Sequence, residues 1–169
     1  ALRMMRLLRR FRPRLIGTTA PKPLNEFSSV SRLAVDGNSV YVAAGEAGMH
    51  IYDFTRREEP ALAGSFETSG MTFQVAVHGR HAYLADGPAG LRVMDITNPA
   101  RPVEVARHDA PGFAQSIVLA PPFAYLSTTP GFGGDTLTVF DIRDPAKPVK
   151  RGSLRVAIQS HQVKLARFD

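Results

Sequence analysis

The feature that most limits what this chain can become is that it repeats itself. Slid along its own length, VYVAAGEAGMHIYDFTRREEPALAG (Val40 to Gly64) falls on AYLADGPAGLRVMDITNPARPVEVA (Ala82 to Ala106) without a gap, at an offset of 42 residues. A third copy is AYLSTTPGFGGDTLTVFDIRDPAKPVKRG (Ala124 to Gly152), in which four extra residues in the Gly131 to Gly134 turn widen the later offset to 46. Tyr41, Tyr83 and Tyr125 therefore correspond, as do Asp53, Asp95 and Asp141, and Pro60, Pro102 and Pro148. The pattern runs on at both ends. Gln162 to Leu165 falls on Gln74 to Val77, and Arg12 to Gly17 resembles Glu59 to Gly64.

A period near 42 residues is the length of one four-stranded propeller blade. In the second unit, short apolar runs bounded by turn residues predict strands over Gln74 to Val77, His81 to Ala85, Leu91 to Ile96 and Pro102 to Arg107. The segments between them hold His78-Gly79-Arg80, Asp86-Gly87-Pro88-Ala89-Gly90 and Thr97-Asn98-Pro99-Ala100, residues that set tight turns. A helical repeat of similar length needs apolar residues spaced by 3.6 over a dozen positions. Here 14 glycines and 13 prolines break the chain too often for that. The expectation is an all-β chain of β-propeller blades over 31–72, 73–114 and 115–157, with 158–169 starting a further one. Residues 1–30 form a basic segment in which 12–19 reads as the outer strand of a preceding or closing blade.

One strand recurs as MHIYDF at Met49 to Phe54, LRVMDI at Leu91 to Ile96 and LTVFDI at Leu137 to Ile142. Asp-Ile-x-x-Pro-Ala-x-Pro-Val follows at Asp95 to Val103 and at Asp141 to Val149, and the first copy departs with Arg57 where the others have Pro99 and Pro145. In these motifs the units resemble LVIVD repeats, over about Ser31 to Leu165. The resemblance implies a bacterial or archaeal propeller exported from the cytoplasm, often an envelope or cell-surface protein without a defined reaction. It brings no catalytic residues with it, so it speaks for fold far more than for function.

Composition narrows the function classes. There is no cysteine, which removes disulfides, thiol nucleophiles and thiolate metal sites. No run of eighteen apolar residues exists, the length a bilayer-spanning helix needs, and the start of the chain does not contain the apolar stretch of a complete signal peptide. The net charge of +6 is local: Arg3, Arg6, Arg9, Arg10, Arg12 and Arg14 carry six positive charges, leaving 15 basic against 15 acidic residues elsewhere. A balanced body gives no footprint for nucleic acid.

The recurrent Asp53, Asp95 and Asp141 could be read as a ring of cation ligands, but an aspartate ending a strand can instead accept backbone amides two residues on and fix a turn. The turn reading is the one carried forward. Residues opening each innermost strand line the channel of a propeller, and register places Ser31, Phe73, Gln115 and His161 in one ring and Arg32, Gln74, Ser116 and Gln162 in the next. Arg32, Gln74, Gln115 and His161 are thus the candidate ligand-binding residues at the channel mouth. His50, His78, His81, His108 and His161 lack the spacing of a metal motif. Thr129 to Asp135 is a glycine-rich hairpin without the lysine and helix of a phosphate loop. No nucleophile elbow is present either. No catalytic residue, metal or cofactor is expected.

The basic start allows two structures. As a helix it places Met4, Leu7, Leu8, Phe11 and Leu15 on one face and Arg3, Arg6, Arg9, Arg10 and Arg14 on the other, the pattern of an interfacial anchor. Contact with an anionic membrane would then be worth about 1 kcal/mol per basic residue. As part of the repeat it places Leu2 to Met5 on Leu91 to Met94 and Pro13 on Pro102, with the arginines guarding an edge strand. Residues 12–19 read as strand, and 1–11 stay open. The chain is either part of a longer propeller or a four-bladed ring to which the start contributes outer strands and 161–169 an inner one. The leading functional expectation is a non-enzymatic scaffold, extracytoplasmic, that assembles with other envelope or membrane proteins or an anionic membrane surface. The alternative is a small-molecule or glycan binder at the channel mouth.

Overall fold

The computed structural model describes residues 32–110, 112–129 and 135–156. Within them lie twelve strands, arranged as three antiparallel sheets of four whose spatial order is the chain order. The first blade is β1 (Arg32–Asp36), β2 (Ser39–Ala43), β3 (Met49–Asp53) and β4 (Ala61–Phe66). The second is β5 (Gln74–His78), β6 (His81–Ala85), β7 (Leu91–Asp95) and β8 (Val103–His108). The third is β9 (Phe113–Ala120), β10 (Phe123–Thr129), β11 (Asp135–Asp141) and β12 (Val149–Val156). The strands expected for the second unit match β5 to β8 to within one residue at each end. Residues 1–31 and 157–169, which hold the expected outer strand and fourth unit, lie outside the described residues.

The blades stack face to face, and this explains why the second strand of each reads as an apolar run rather than an alternation. Successive side chains of a strand point to opposite faces, and in the second blade both faces are covered. From the second blade, Ala82, Leu84, Met94 and Ile96 pack with Val75 against Tyr41, Ala43, Met49 and Ile51 of the first. From the other face, Tyr83, Ala85, Leu91 and Val93 pack against Ala114, Ile117, Ala124, Leu126, Phe140 and Ile142 of the third. His108 meets the edge of Phe140 across the same interface, ring centres 4.8 Å apart. The innermost strands β1, β5 and β9 lie against one another in turn. These are β-propeller blades.

Three devices recur at the repeat period. First, the pairing of the third and fourth strands slips by one residue after Ile51, Val93 and Val139, a bulge that sharpens the twist of each blade. Second, Asp53, Asp95 and Asp141 each accept the amide two residues on: Thr55 at 2.7 Å, Thr97 at 2.8 Å and Arg143 at 3.2 Å. The turn reading of these aspartates therefore holds in every blade. Third, a turn of one blade is stapled to the segment entering the next. Gly45 exchanges backbone hydrogen bonds of 3.1 and 2.9 Å with Thr72, and Gly87 exchanges bonds of 3.0 and 2.8 Å with Ala114. Gly45 and Gly87 adopt φ of 59° and 53°, a region costly for any residue with a Cβ. The third blade has Thr129 at this position, and its β10 and β11 run to seven residues where β6 and β7 have five.

Candidate functional site

At the inner edge the repeat-equivalent residues Arg32, Gln74 and Ser116 come together, each 42 residues from the next. The Gln74 side-chain oxygen accepts Arg32 Nη1 at 3.1 Å, Ser116 Oγ at 2.9 Å and the Ile117 amide at 3.2 Å. One acceptor with three donors is saturated. The chain of bonds braces three blades across their inner strands. Ser116 holds the place that the 42-residue step gives it, and Gln115 beside it is half-buried on a bulge, where the pairing of β9 with β10 steps from Ser116 to Ala114. His161 lies outside the described residues, as do Arg3, Arg6, Arg9, Arg10 and Arg14.

Next to this ring, the second blade holds a buried charge network. Arg92 donates through Nε to Asp86 at 2.6 Å, through Nη1 to Glu104 and through Nη2 to Ser69. The other Asp86 oxygen accepts Thr68 Oγ1 at 2.7 Å and Thr72 Oγ1 at 2.6 Å. Burial opposes the charge on Arg92, but the hydrogen bonds and charges of Glu104 and Asp86 outweigh it and hold the guanidinium pKa above its ordinary value. Asp86 and Arg92 have Ala44 and His50 as counterparts in the first blade and Thr128 and Thr138 in the third. The network therefore clamps the link between the first and second blades through Thr68, Ser69 and Thr72.

The opposite end of the blades carries a groove of about 460 Å³ between the second and third. One wall is the β5–β6 turn with His78, Arg80 and His81; the other is Pro121, Pro122, Arg143 and Pro145; Tyr83 and Ile142 form the floor. The Pro121–Pro122 peptide is cis. Three prolines restrict the backbone of one wall, so the groove is preformed. Two carboxylates stand nearby, both held below the ordinary aspartate range. Asp95 is lowered by the Thr97 hydroxyl, then the Thr97 amide, with smaller help from His81 and Arg80. Asp141 is lowered by its hydrogen bond from Arg151, then by the Arg143 amide. Arg151 donates to Asp141 Oδ2 at 2.7 Å, and the Arg143 guanidinium stands 3.7 Å from the same oxygen.

A second hollow of about 400 Å³ lies on the far face of the third blade, bordered by Tyr125 and Val139. These are the counterparts of Tyr83 and Val93, which fill the interface between the second and third blades. Among the described residues, no group of three His, Asp or Glu side chains is arranged to hold a metal ion. The groove escaped the reading of the sequence, which weighed His78 and His81 as metal ligands and set them aside. The available signal was the departure from the repeat: His78, Arg80 and His81 stand where the first blade has Asp36, Asn38 and Ser39.

Comparison with known proteins bears on the fold. The profile of the LVIVD repeat matches residues 28–68 and 69–110. No curated protein matches the chain. Among solved structures, the computationally designed Ika4 protein is similar at a TM-score of 0.66 and 11% identity, with 93% of this chain and 89% of that one aligned. Sqt1 of Saccharomyces cerevisiae aligns at a TM-score of 0.65 and 14% identity, over 80% of this chain and 38% of its own. A europium-containing methanol dehydrogenase aligns at 0.59 and 10% identity, over 77% of this chain and 26% of its own. The chain thus spans well under half the length of the latter two, and at such identities the likeness is one of fold. Residues 28–110 belong to the LVIVD repeat family, as two consecutive repeats of it.

Proposed function

We propose that this chain is a non-enzymatic β-propeller scaffold that binds other proteins, at a bacterial envelope or cell surface. The observation that carries the reading is the state of the inner ring. The channel mouth is where a small ligand would bind, and there Gln74 spends its acceptor on Arg32, Ser116 and Ile117. The blade-specific side chains that face solvent, among them His78, Arg80 and Arg143, gather at the turn end of two blades instead. A rigid surface with a preformed groove suits a protein partner. The LVIVD repeats support a place outside the cytoplasm, and the arginines at 3, 6, 9, 10 and 14 support contact with an anionic membrane or an acidic partner. No reaction or cofactor is assigned.

The test is a crosslinking pull-down from membranes with the full chain as bait. The expected result is enrichment of a discrete protein in near-stoichiometric amount, displaced by excess soluble chain. A bait that stays monomeric and enriches nothing over a control bait contradicts the proposal.

A further inference from the structure

We infer that the groove between the second and third blades is a carboxylate-recognition site, and that its ligand is an acidic peptide segment of a partner protein. The inference rests on the scaffold reading and specifies what the scaffold recognises. A repeat protein supplies its own control, because each position occurs again in a blade that folds the same way. Between the first and second blades, the positions of His78, Arg80, His81 and Arg143 are filled by Asp36, Asn38, Ser39 and Thr97. The β1–β2 and β5–β6 hairpins nevertheless pair in the same register, Asp36 opposite Ser39 and His78 opposite His81. The fold therefore requires none of the four basic side chains, and they rim the groove with guanidinium and imidazole where the preceding pair of blades carries an acid and three neutral polar residues.

The acids within reach offset that rim only in part, Asp141 through an ion pair of 3.7 Å with Arg143. Asp95 turns Oδ1 to the Thr97 amide, and Asp141 gives Oδ1 to the Arg143 amide and Oδ2 to Arg151. Arg80 is exposed and the Arg143 side chain is 69% exposed, so both planar forks can turn toward a ligand. Such forks match a carboxylate in bidentate fashion. Phosphate sites are characteristically built from clustered backbone amides, whereas three of the wall residues here are prolines, which carry no amide hydrogen. The floor of Tyr83 and Ile142 offers apolar contact to the stem of a glutamate or to a flanking leucine, as an acidic peptide would supply.

Binding of fluorescent peptides to the full chain, followed by anisotropy, tests this. The probes are a capped Glu/Leu peptide, the same peptide with Gln for Glu, a Gln/Leu peptide with a free C-terminal carboxylate, and inorganic phosphate as competitor. The variants are Arg80→Asn and Arg143→Thr, which install the side chains found at the equivalent positions one blade earlier, Asn38 and Thr97, and Arg101→Ala as an exposed control away from the groove. The Glu peptide is expected to bind at least about tenfold more tightly than its Gln counterpart, and the double variant to lose that preference while Arg101→Ala keeps it. Tight binding of the free-carboxylate peptide alone would assign the ligand to a chain terminus. Equal binding of Glu and Gln peptides, full affinity in the double variant, or displacement by phosphate as effective as by peptide would overturn the inference. If the double variant enriches the same membrane partner as the parent chain, the groove inference falls and the scaffold reading stands. If the parent chain enriches none, the scaffold reading falls.

Discussion

The first and second blades are built from the same strands, turns and bulges, yet their equivalent side chains live in different surroundings. Val75 of the second blade is 2% exposed, while its counterpart Leu33 in the first is 59% exposed. The difference does not lie in the residues, since both are aliphatic and both stand second in an innermost strand. It lies in the neighbour: the second blade is covered by the first on that face, and among the described residues nothing covers β1 in the same way. A blade is thus half of each interface it takes part in, and its stability is largely a nearest-neighbour property. The charges differ in the same sense. Where the second blade buries Asp86 against Arg92, the first has Ala44 and His50, so the shared fold tolerates either solution.

The largest effect expected from this comparison is at the buried pair. Arg92→Ala leaves Asp86, fully buried in its side chain, without its charge partner, and a loss of about 3–5 kcal/mol in urea denaturation is expected. The double change Asp86→Ala with Arg92→His, which copies the first blade, is expected to restore much of it. Next comes Leu84→Ala, at a fully buried interface position, with an expected cost of about 2–5 kcal/mol. Gly87→Ala places a Cβ at φ 53°, 3.1 Å from the Met71 carbonyl oxygen, and is expected to cost about 1–2 kcal/mol and to speed amide exchange at Ala114.

Smaller again is the pH effect of the turn aspartates. Asp95 and its counterparts have folded pKa values below the ordinary aspartate value, so their stabilisation is complete above that value, about 3.9, and fades as pH falls through the lowered one. Asp95→Asn is expected to reduce stability at neutral pH and to converge with the parent chain in acid, as read from denaturation midpoints at several pH values. Smallest is Leu33→Ala, expected to stay within about 0.5 kcal/mol because the site is exposed. A cost at Leu33 equal to that at Leu84 would break the comparison between the two blades.

Much of the fold was legible because the period, the apolar runs and the Gly, Pro and Asp turn residues all say the same thing. The Asp53, Asp95 and Asp141 turns were legible for the same reason: the hydrogen bond spans two residues and needs no tertiary knowledge. The site was less legible. Arg92 meets Glu104 and Ser69 only once strands have paired, and the groove joins His78 to Pro145 across two blades. The 42-residue step already puts Ser116 level with Arg32 and Gln74, and the structure joins those three; what counting cannot show is the bulge at Gln115 beside them. The paired change of Ala44 to Asp86 and His50 to Arg92 between copies was the one sequence signal of the buried network.

The arrangement of successive blades is tested most directly by amide-to-amide nuclear Overhauser contacts in the isotopically labelled 18.4 kDa chain. The two staples place the amide of Gly45 beside that of Thr72 and the amide of Gly87 beside that of Ala114, and cross-peaks for both pairs are expected alongside those within each sheet. Sheets that show their internal contacts while both staple cross-peaks are missing would contradict blades stacked at a regular 42-residue step.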